Sequence, residues 1–267
     1  MAPFATPSFT GLARQALRFL IPVDCAACGL ALGDDPVPLF CARCWATIAP
    51  LTQPRCARCD RPFVSPVATE FSPDHHCQTC LERPPSYTKA WTLYPYLPPL
   101  QDAIRLLKYN ARPSLAEPLA RLMLAALPPS LSIDLIMPVP LHPRRLRERE
   151  FNQALLLADR LRAALHAPVV YTNLVRVLPA AAQTSLSRKE RLRNLRGAFA
   201  VRTPAEVAGK RIVLVDDVFT TGATVNECAK TLRKSGSGDV FVLTLARTMD
   251  PGTVPDRILA QRAQQFI

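Results

Sequence analysis

An apolar run that ends in two adjacent carboxylates constrains the fold of this chain more than any other feature of its sequence. The run is Ile212–Val215, and Asp216 and Asp217 follow it directly. Apolar runs bounded by turn residues are typical of buried strands, and we expect a helix from Val225 to Lys234. A buried strand joined by a tight turn to a helix is typical of α/β folds, which bind ligands beyond the carboxyl ends of their strands. The pattern therefore predicts an α/β fold with a binding site at this turn.

The turn, residues 220–224, contains three threonines and one glycine. Backbone N–H groups, hydroxyls and the positive end of a helix suit a phosphate monoester. With two carboxylates to accept sugar hydroxyls, they indicate a 5-phosphoribosyl ligand; the alternative is an ordinary strand–turn–helix with solvent-facing acids. A P-loop is excluded because no Gly-x-x-x-x-Gly-Lys-Ser/Thr pattern occurs. We interpret Gly236–Gly238 as a helix C-cap and turn.

This segment resembles the signature of type I phosphoribosyltransferases, which consists of four hydrophobic residues, two acidic residues and a Thr-Gly-x-Thr loop. The resemblance implies that Asp216 and Asp217 bind the ribose 2- and 3-hydroxyls and are the catalytic candidates. It also implies that the 5-phosphate binds to Thr220, Thr221, Gly222, Ala223 and Thr224.

Eight of the nine cysteines form four Cys-x2-Cys pairs within the first 80 residues: Cys25/Cys28, Cys41/Cys44, Cys56/Cys59 and Cys77/Cys80. Two such pairs provide the four thiolates of a structural zinc site, so the spacing predicts two zinc ions. Sequential pairing would give two stacked ribbons and interleaved pairing a cross-braced module; we favour the sequential arrangement. We expect Cys228 to be a small buried hydrophobic residue.

The formal net charge of +12 and a pI near 9.7 indicate an anionic partner, either a phosphorylated metabolite or a nucleic acid. No apolar run reaches about 18 residues and no secretory signal is evident, so we expect a cytoplasmic protein without membrane insertion. Arg144, Arg145, Arg147 and Arg149 form one basic cluster, and Arg188–Arg196, which includes Arg191, forms another. Both are compatible with a solvated surface, but we expect them to line the ribose-phosphate site.

Regular elements are predicted from apolar spacing and from the positions of proline. We expect helices over Leu100–Tyr109 and Leu115–Leu127 and from Phe151 to about Leu165, and strands over Ala90–Tyr96 and Ile133–Met137. We expect Val169–Val177 to be a strand or an extended segment.

Further motifs in the same order are similar to those of the ComF (competence protein F) family: the cysteine pairs, Leu107–Tyr109, Pro138–Arg149, Phe151–Ala154 and Gln183–Asn194. The resemblance implies an α/β type I phosphoribosyltransferase fold, a parallel sheet flanked by helices, preceded by a small zinc-ribbon module. Pro138–Arg145 would be the diphosphate loop, with Arg144 and Arg145 binding the ligand, and Arg176–Asn194 a flexible lid. One departure is Glu150, where the family usually has glycine.

We therefore predict a double zinc-ribbon module over residues 20–84, a phosphoribosyltransferase-like domain over 85–248 and a mobile tail over 249–267. The first hypothesis is a protein that binds 5-phosphoribosyl diphosphate with Mg²⁺, as a phosphoribosyltransferase if it turns over, and acts in DNA uptake. The alternative is a single-stranded DNA-binding factor without turnover, which uses the same pocket and arginines. The family resemblance also implies a helicase-like competence partner.

Overall fold

The computed structural model describes residues 23–65, 67–70, 72, 74–110, 112–127, 132–178 and 195–250. The strands are β1 (Lys89–Pro95), β2 (Leu135–Pro138), β3 (Leu174–Arg176), β4 (Phe199–Val201), β5 (Ile212–Phe219) and β6 (Val240–Arg247). The α-helices are α1 (Ala42–Ala46), α2 (Val67–Glu70), α3 (Gln78–Glu82), α4 (Leu100–Tyr109), α5 (Ala116–Ala125), α6 (Pro143–Arg149), α7 (Gln153–Leu165) and α8 (Ala223–Lys234). None of the helices in these ranges combines the length and apolarity needed to cross a bilayer.

Four parallel strands form the main sheet in the order β1-β6-β5-β2, and β3 and β4 form a separate antiparallel pair. Parallel neighbours require crossover connections, and α8 provides the one from β5 to β6. With helices packed on both faces, the strands are buried almost throughout, as their continuous apolar runs require. The predicted α/β fold, a parallel sheet flanked by helices, is confirmed.

The side chains of β5 divide the core into two parts because successive residues of a strand point to opposite faces. Val213 and Val215 pack in a cluster with α4, α5 and α7. Ile212 and Leu214 pack in a second cluster with α8 and with residues of β3 and β4. We call these the α7 face and the α8 face of the sheet.

The cysteine-rich segment, residues 25–80, packs against β1, an edge strand of the sheet, and contributes to both faces. Cys25 and Cys44 lie in the cluster of the α7 face, whereas all four of Cys56, Cys59, Cys77 and Cys80 lie in that of the α8 face. Backbone groups of β1 bond to this segment: Ala90 N donates to the Arg58 carbonyl at 2.8 Å, and Leu51 N donates to the Leu93 carbonyl at 3.0 Å. The segment thereby covers backbone that an edge strand would otherwise expose.

The side chain of Asp60 also joins the cysteine-rich segment to β1. It is buried, and its carboxylate accepts hydrogen bonds from the Thr92 backbone N–H at 2.6 Å and from the Thr92 hydroxyl at 3.1 Å. Burial raises the pKa of Asp60, although Arg55, whose Nη1 lies 2.9 Å from Asp60 Oδ2, opposes this shift. The three interactions satisfy a carboxylate that would be costly to bury alone.

Most predicted elements are present with boundaries that differ by one or two residues, and α4 has the predicted bounds. Within Val169–Val177, which was expected to be a strand or an extended segment, Leu174–Arg176 is a strand and Val169 forms a single bridge with Ile136. The strands β4 and β6 were not predicted. Gly236 adopts a φ of +87° directly after the C-cap of α8, as a helix C-terminus favours.

Candidate functional site

Asp216 and Asp217 lie inside β5, which continues to Phe219, and not at its end as the sequence had indicated. The carboxylate of Asp217 is buried and forms an ion pair with Lys108 of α4, in which Nζ lies 2.7 Å from Oδ1. Its second oxygen, Oδ2, is buried and has no hydrogen-bond partner among the described residues. The backbone N–H of Asp217 donates to Asp216 Oδ1 at 2.9 Å, which holds the two acids together.

The two acids differ in their electrostatic surroundings. Burial and then the charge of Asp217 raise the pKa of Asp216 to about 7, against the opposing charge of Lys108. Burial lowers the pKa of Lys108, but Asp217 outweighs it and the net pKa is above the ordinary lysine value. No cation within the described ranges forms an ion pair with Asp216. Asp217 therefore has its own counter-ion, whereas Asp216 is free for a ligand.

Residues 220–222 of the 220–224 loop connect β5 to α8, and Ala223 and Thr224 begin that helix. Gly222 has a φ of +73°, and a Cβ at this position would lie 2.4 Å from Cζ of Phe219. Glycine is therefore required both by the backbone conformation and by the close approach of the ring. Among described residues, the backbone N–H groups of Thr220, Thr221 and Gly222 have no hydrogen-bond acceptor. These groups, with the N-terminus of the 12-residue helix α8, can bind an oxyanion.

The chain between β2 and α7 carries the first arginine cluster. His142 caps α6 by accepting a hydrogen bond from Arg144 N at 3.2 Å, and α6 has no buried residue. Asn152 caps α7 through its Oδ1 and also donates from Nδ2 to the Val139 carbonyl at 3.1 Å, which closes the segment on itself. Arg144, Arg145 and Arg147 are thus presented to solvent beyond the carboxyl end of β2, next to β5.

Arg149 links this segment to the acid pair. Its guanidinium lies 4.9 Å from the centroid of the Tyr109 ring, the residue after Lys108, and its Nη1 donates to Gln153 at 3.1 Å. Its charge lowers the pKa of Asp216 in opposition to burial. Arg149 is therefore the arginine of α6 that acts electrostatically on the acids.

The eight paired cysteines form two groups, in each of which the sulfur atoms lie within 4.8 Å of one another: Cys25, Cys28, Cys41 and Cys44, and Cys56, Cys59, Cys77 and Cys80. This is the sequential pairing. A tetrahedral zinc with bonds of about 2.3 Å requires sulfur atoms about 3.8 Å apart. Cys28 and Cys41 Sγ are 3.8 Å apart, and Cys59 and Cys77 Sγ are 3.6 Å apart.

The charge balance of the second group also fits a metal. Hydrogen bonding from Cys59 lowers the pKa of Cys56, while hydrogen bonding to Cys56 raises the pKa of Cys80. Four thiols in contact therefore cannot all ionise without a cation between them, and a zinc ion would supply it. The residues of both groups fit structural zinc, with all four positions filled by cysteine.

Two family models match the chain. Residues 16–81 match the double zinc ribbon domain and residues 152–261 the phosphoribosyl transferase domain. The chain is 36% identical over 237 residues to DNA utilization protein YhgH of Escherichia coli strain K12, covering 86% of this chain and 99% of that protein. The chain belongs to the ComF family.

Competence protein F of Haemophilus influenzae is 36% identical over 179 residues, covering 64% of this chain and 78% of that protein. Competence protein ComFC of Bacillus subtilis is 34% identical over 115 residues, covering 42% of this chain and 44% of that protein.

The predicted ComF site residues fall into three sets. Asp216, Asp217 and the 220–224 loop are brought together by β5, and Arg144 and Arg145 lie on α6. Arg191 and the part of the predicted lid beyond residue 178 lie outside the described residues. The predicted tail is described only to residue 250, and its mobility stays a prediction.

Sequence reasoning did not single out Lys108, and it named Arg149 only as one member of the first basic cluster. Lys108 belongs to the Leu107–Tyr109 motif, which marked it as part of the family pattern but gave no indication of its partner. Glu150, at the position where the family usually has glycine, has a φ of +65°. The conformation that glycine favours is therefore retained with a glutamate in its place.

Proposed function

We propose that this chain binds a 5-phosphorylated ribose at the carboxyl ends of β5 and β2. The observation that carries the proposal is the 220–224 loop, where glycine-dependent backbone leaves N–H groups without acceptors among the described residues, shortly after the partly buried Asp216 and the buried Asp217. The loop can bind an oxyanion, and the strand that leads into it carries a carboxylate that can accept hydroxyl groups. A ribose 5-phosphate matches both, because it has a phosphate at one end of the sugar and hydroxyls at the other.

We assign different roles to the two acids. Asp216 has no counter-ion among the residues described and is the acceptor for ribose hydroxyls. Asp217 is paired with Lys108 at 2.7 Å, so its role is to fix that ammonium beside the site and to orient Asp216 through its backbone N–H. The acid pair together with Lys108 then presents at most one net negative charge to an anionic ligand.

A diphosphate on the ribose would extend toward α6, where Arg144 and Arg145 supply cations. Mg²⁺ would neutralise diphosphate charge, and Asp216 with the ligand oxygens would hold it. This arrangement supports binding of 5-phosphoribosyl diphosphate. The names of the relatives, which refer to DNA utilization and competence, support a role in the handling of incoming DNA.

Calorimetry with 5-phosphoribosyl diphosphate and Mg²⁺ tests the site. Asp216→Asn and Gly222→Ala are each expected to weaken binding at least about tenfold, because one removes the acceptor and the other distorts the loop. Asp159→Asn, on the exposed surface of α7, and Gly33→Ala, where a Cβ meets nothing within 4 Å, are the matched controls. Equal affinities of the wild type and both site variants would contradict the proposal.

A second function, binding of single-stranded DNA, is favoured by the exposed arginines of α6. The helix has no buried residue, and of its arginines Arg144 pairs with Glu148 at 3.0 Å. Exchange of Arg144 and Arg145 for glutamate should weaken binding of an oligothymidylate several-fold and reduce its salt dependence. Arg105→Glu with Arg162→Glu, also on exposed helix surfaces, is the control of equal charge; if both pairs weaken binding alike, α6 is not a specific DNA site.

A further inference from the structure

A cavity of about 630 Å³ lies on the other side of the 220–224 loop from the acid pair. Its walls come from the loop, from the end of β6, from the second cysteine group and from the segment before β1. The lining includes Thr220, Thr221 and Gly222 together with Tyr87, Arg83 and Arg247, whereas neither acid nor any residue of α6 contributes to it. The loop therefore borders this cavity, and the acid pair lies outside it.

The order of the strands fixes how the cavity and the acid pair are arranged. In the sheet order β1-β6-β5-β2, the α6 arginines follow β2 on one side of β5. Arg247 ends β6 and Tyr87 precedes β1, both on the other side. A phosphate bound to the loop after β5 would thus have its ribose toward the acids and β2, and the cavity toward β6 and β1.

The cavity combines cations with flat apolar surfaces. Arg247 is 7% exposed, donates from Nη1 to the Cys59 carbonyl at 2.8 Å and lies 4.7 Å from the centroid of the Phe219 ring. Arg83 is exposed and has no ion pair with any residue in the described ranges. Tyr87 packs edge-on against Phe219 with centroids 6.5 Å apart, and Pro84 and Pro85 complete this wall. Guanidinium groups beside aromatic rings are typical of sites for nucleotides.

We propose that this cavity binds a nucleotide joined by a phosphodiester to the 5-phosphate on the loop, so that the ligand is a segment of an oligonucleotide. The inference rests on the proposed function, because it places the phosphate on the same loop. The anomeric carbon lies at the opposite end of the ribose from the 5-phosphate, so the cavity does not serve an acceptor base. Its volume exceeds what one further phosphate needs and lies in the range of pockets for small organic ligands.

The test compares four ligands by calorimetry: ribose 5-phosphate, thymidine 5′-monophosphate, thymidine 5′-triphosphate and the dinucleotide thymidylyl-(3′→5′)-thymidine. The dinucleotide differs from the monophosphate by one nucleoside on the phosphate, and we expect it to bind at least about tenfold more tightly. Equal or weaker binding of the dinucleotide would overturn the inference. Binding of the triphosphate as tight as that of the dinucleotide would also overturn it, since it would assign the cavity to a polyphosphate.

Variants separate this inference from the proposed function. Arg83→Ser should weaken dinucleotide binding about three- to tenfold and leave ribose 5-phosphate binding unchanged, whereas Asp216→Asn should weaken both. Arg112→Ser, an exposed arginine that does not line the cavity, is the control. If ribose 5-phosphate binds in an Asp216-dependent way and the dinucleotide gains nothing, only the cavity assignment fails. If no 5-phosphorylated ligand binds, both proposals fail.

Discussion

The two faces of the sheet carry the same kinds of feature, a cysteine group and an acid, in different surroundings. On the α7 face, Asp217 is closed off by its ion pair with Lys108, and Cys25 and Cys44 pack among the side chains of helices. On the α8 face, Asp216 has no counter-ion in the described part of the chain. There the second cysteine group lines a cavity beside the 220–224 loop.

Under the proposed function, this difference assigns fold stability mainly to the α7 face and ligand binding mainly to the α8 face. A physical link supports the division. The carbonyl of Cys59 binds Arg247, Arg247 packs on Phe219, and the ring of Phe219 leaves room only for glycine at position 222. The second cysteine group is therefore connected to the loop through direct contacts, whereas Cys25 and Cys44 of the first group belong to the core cluster that includes α4 and α5.

The largest expected effect is loss of the second metal site. Cys56→Ser should remove one zinc ion and destabilise the protein by more than about 4 kcal/mol, because all four cysteines of this group are buried in the core of the α8 face. Cys28→Ser should remove the other zinc with a smaller loss, since Cys28 and Cys41 are partly exposed. Zinc content by mass spectrometry and thermal unfolding measure both effects.

Ligand binding by Cys56→Ser and Cys28→Ser tests whether the two faces of the sheet have different roles. At a temperature where both variants stay folded, Cys28→Ser should retain the affinity for ribose 5-phosphate. Under the same conditions Cys56→Ser should weaken it, because loss of the metal no longer fixes the segment whose Cys59 carbonyl binds Arg247. An equal loss in both would mean that the faces do not divide stability from binding.

The next effect concerns the ion pair of Lys108 and Asp217 on the α7 face. Lys108→Met leaves Asp217 buried beside an uncharged side chain, and we expect a loss of about 3–5 kcal/mol in the free energy of unfolding. Lys108→Met with Asp217→Asn should recover part of it, since no charge then remains uncompensated. The exposed pair Arg121–Glu117 on α5 is the control, with less than about 1 kcal/mol for Arg121→Met. Denaturant unfolding of the wild type and of the three variants measures these free energies.

Local patterns in the sequence predicted the individual elements of both faces, but not the contacts between them. The helix α4 follows from its apolar spacing, and the sequential zinc groups follow from the Cys-x2-Cys pairs. The strand β6 also carried a signal, since Val240–Leu243 is a continuous apolar run typical of a buried parallel strand. Its place beside β1 and β5 depends on pairing between residues far apart in the sequence, which no local pattern contains.

The same reason explains why the candidate site was predicted only in part. The acids and the 220–224 loop are contiguous in sequence, so one motif contains them. Lys108 reaches Asp217 only because α4 packs on the sheet, and Arg247 reaches the Cys59 carbonyl across 188 residues. Glu150 could be recognised as a departure from the family pattern, and its left-handed backbone follows from the turn between α6 and α7.

A smaller effect, the pH dependence of stability, distinguishes Asp216 from Asp217. The pKa of Asp216 is raised to about 7, so the folded protein holds a proton there that the unfolded chain releases near pH 4. The stabilising contribution is therefore complete below about pH 4 and is lost as the pH rises through 7. Asp216→Asn should abolish this slope and be more stable than the wild type by about 1–3 kcal/mol at pH 8.

Ligand affinity should follow the opposite course, since an ionised Asp216 is the better acceptor for ribose hydroxyls. Binding of ribose 5-phosphate by the wild type should strengthen between pH 6 and pH 8, and binding by Asp216→Asn should not. Thermal unfolding and calorimetry at a series of pH values measure the two trends. A wild-type stability that rises over the same range would contradict the assignment of the raised pKa to Asp216.

The smallest expected effect comes from Glu150, which follows Arg149 and has a left-handed backbone conformation. Glu150→Gly should raise the free energy of unfolding by about 1 kcal/mol, because glycine adopts this conformation without the clash of a Cβ. His166 ends α7 with a φ of +49°, so His166→Gly is a control with the same backbone relief at the other end of that helix. Glu150→Gly also removes a carboxylate next to Arg149 and should strengthen binding of 5-phosphoribosyl diphosphate two- to threefold, which His166→Gly should not. Equal affinities of the two variants would show that the glutamate affects only the backbone and does not weaken the anion site.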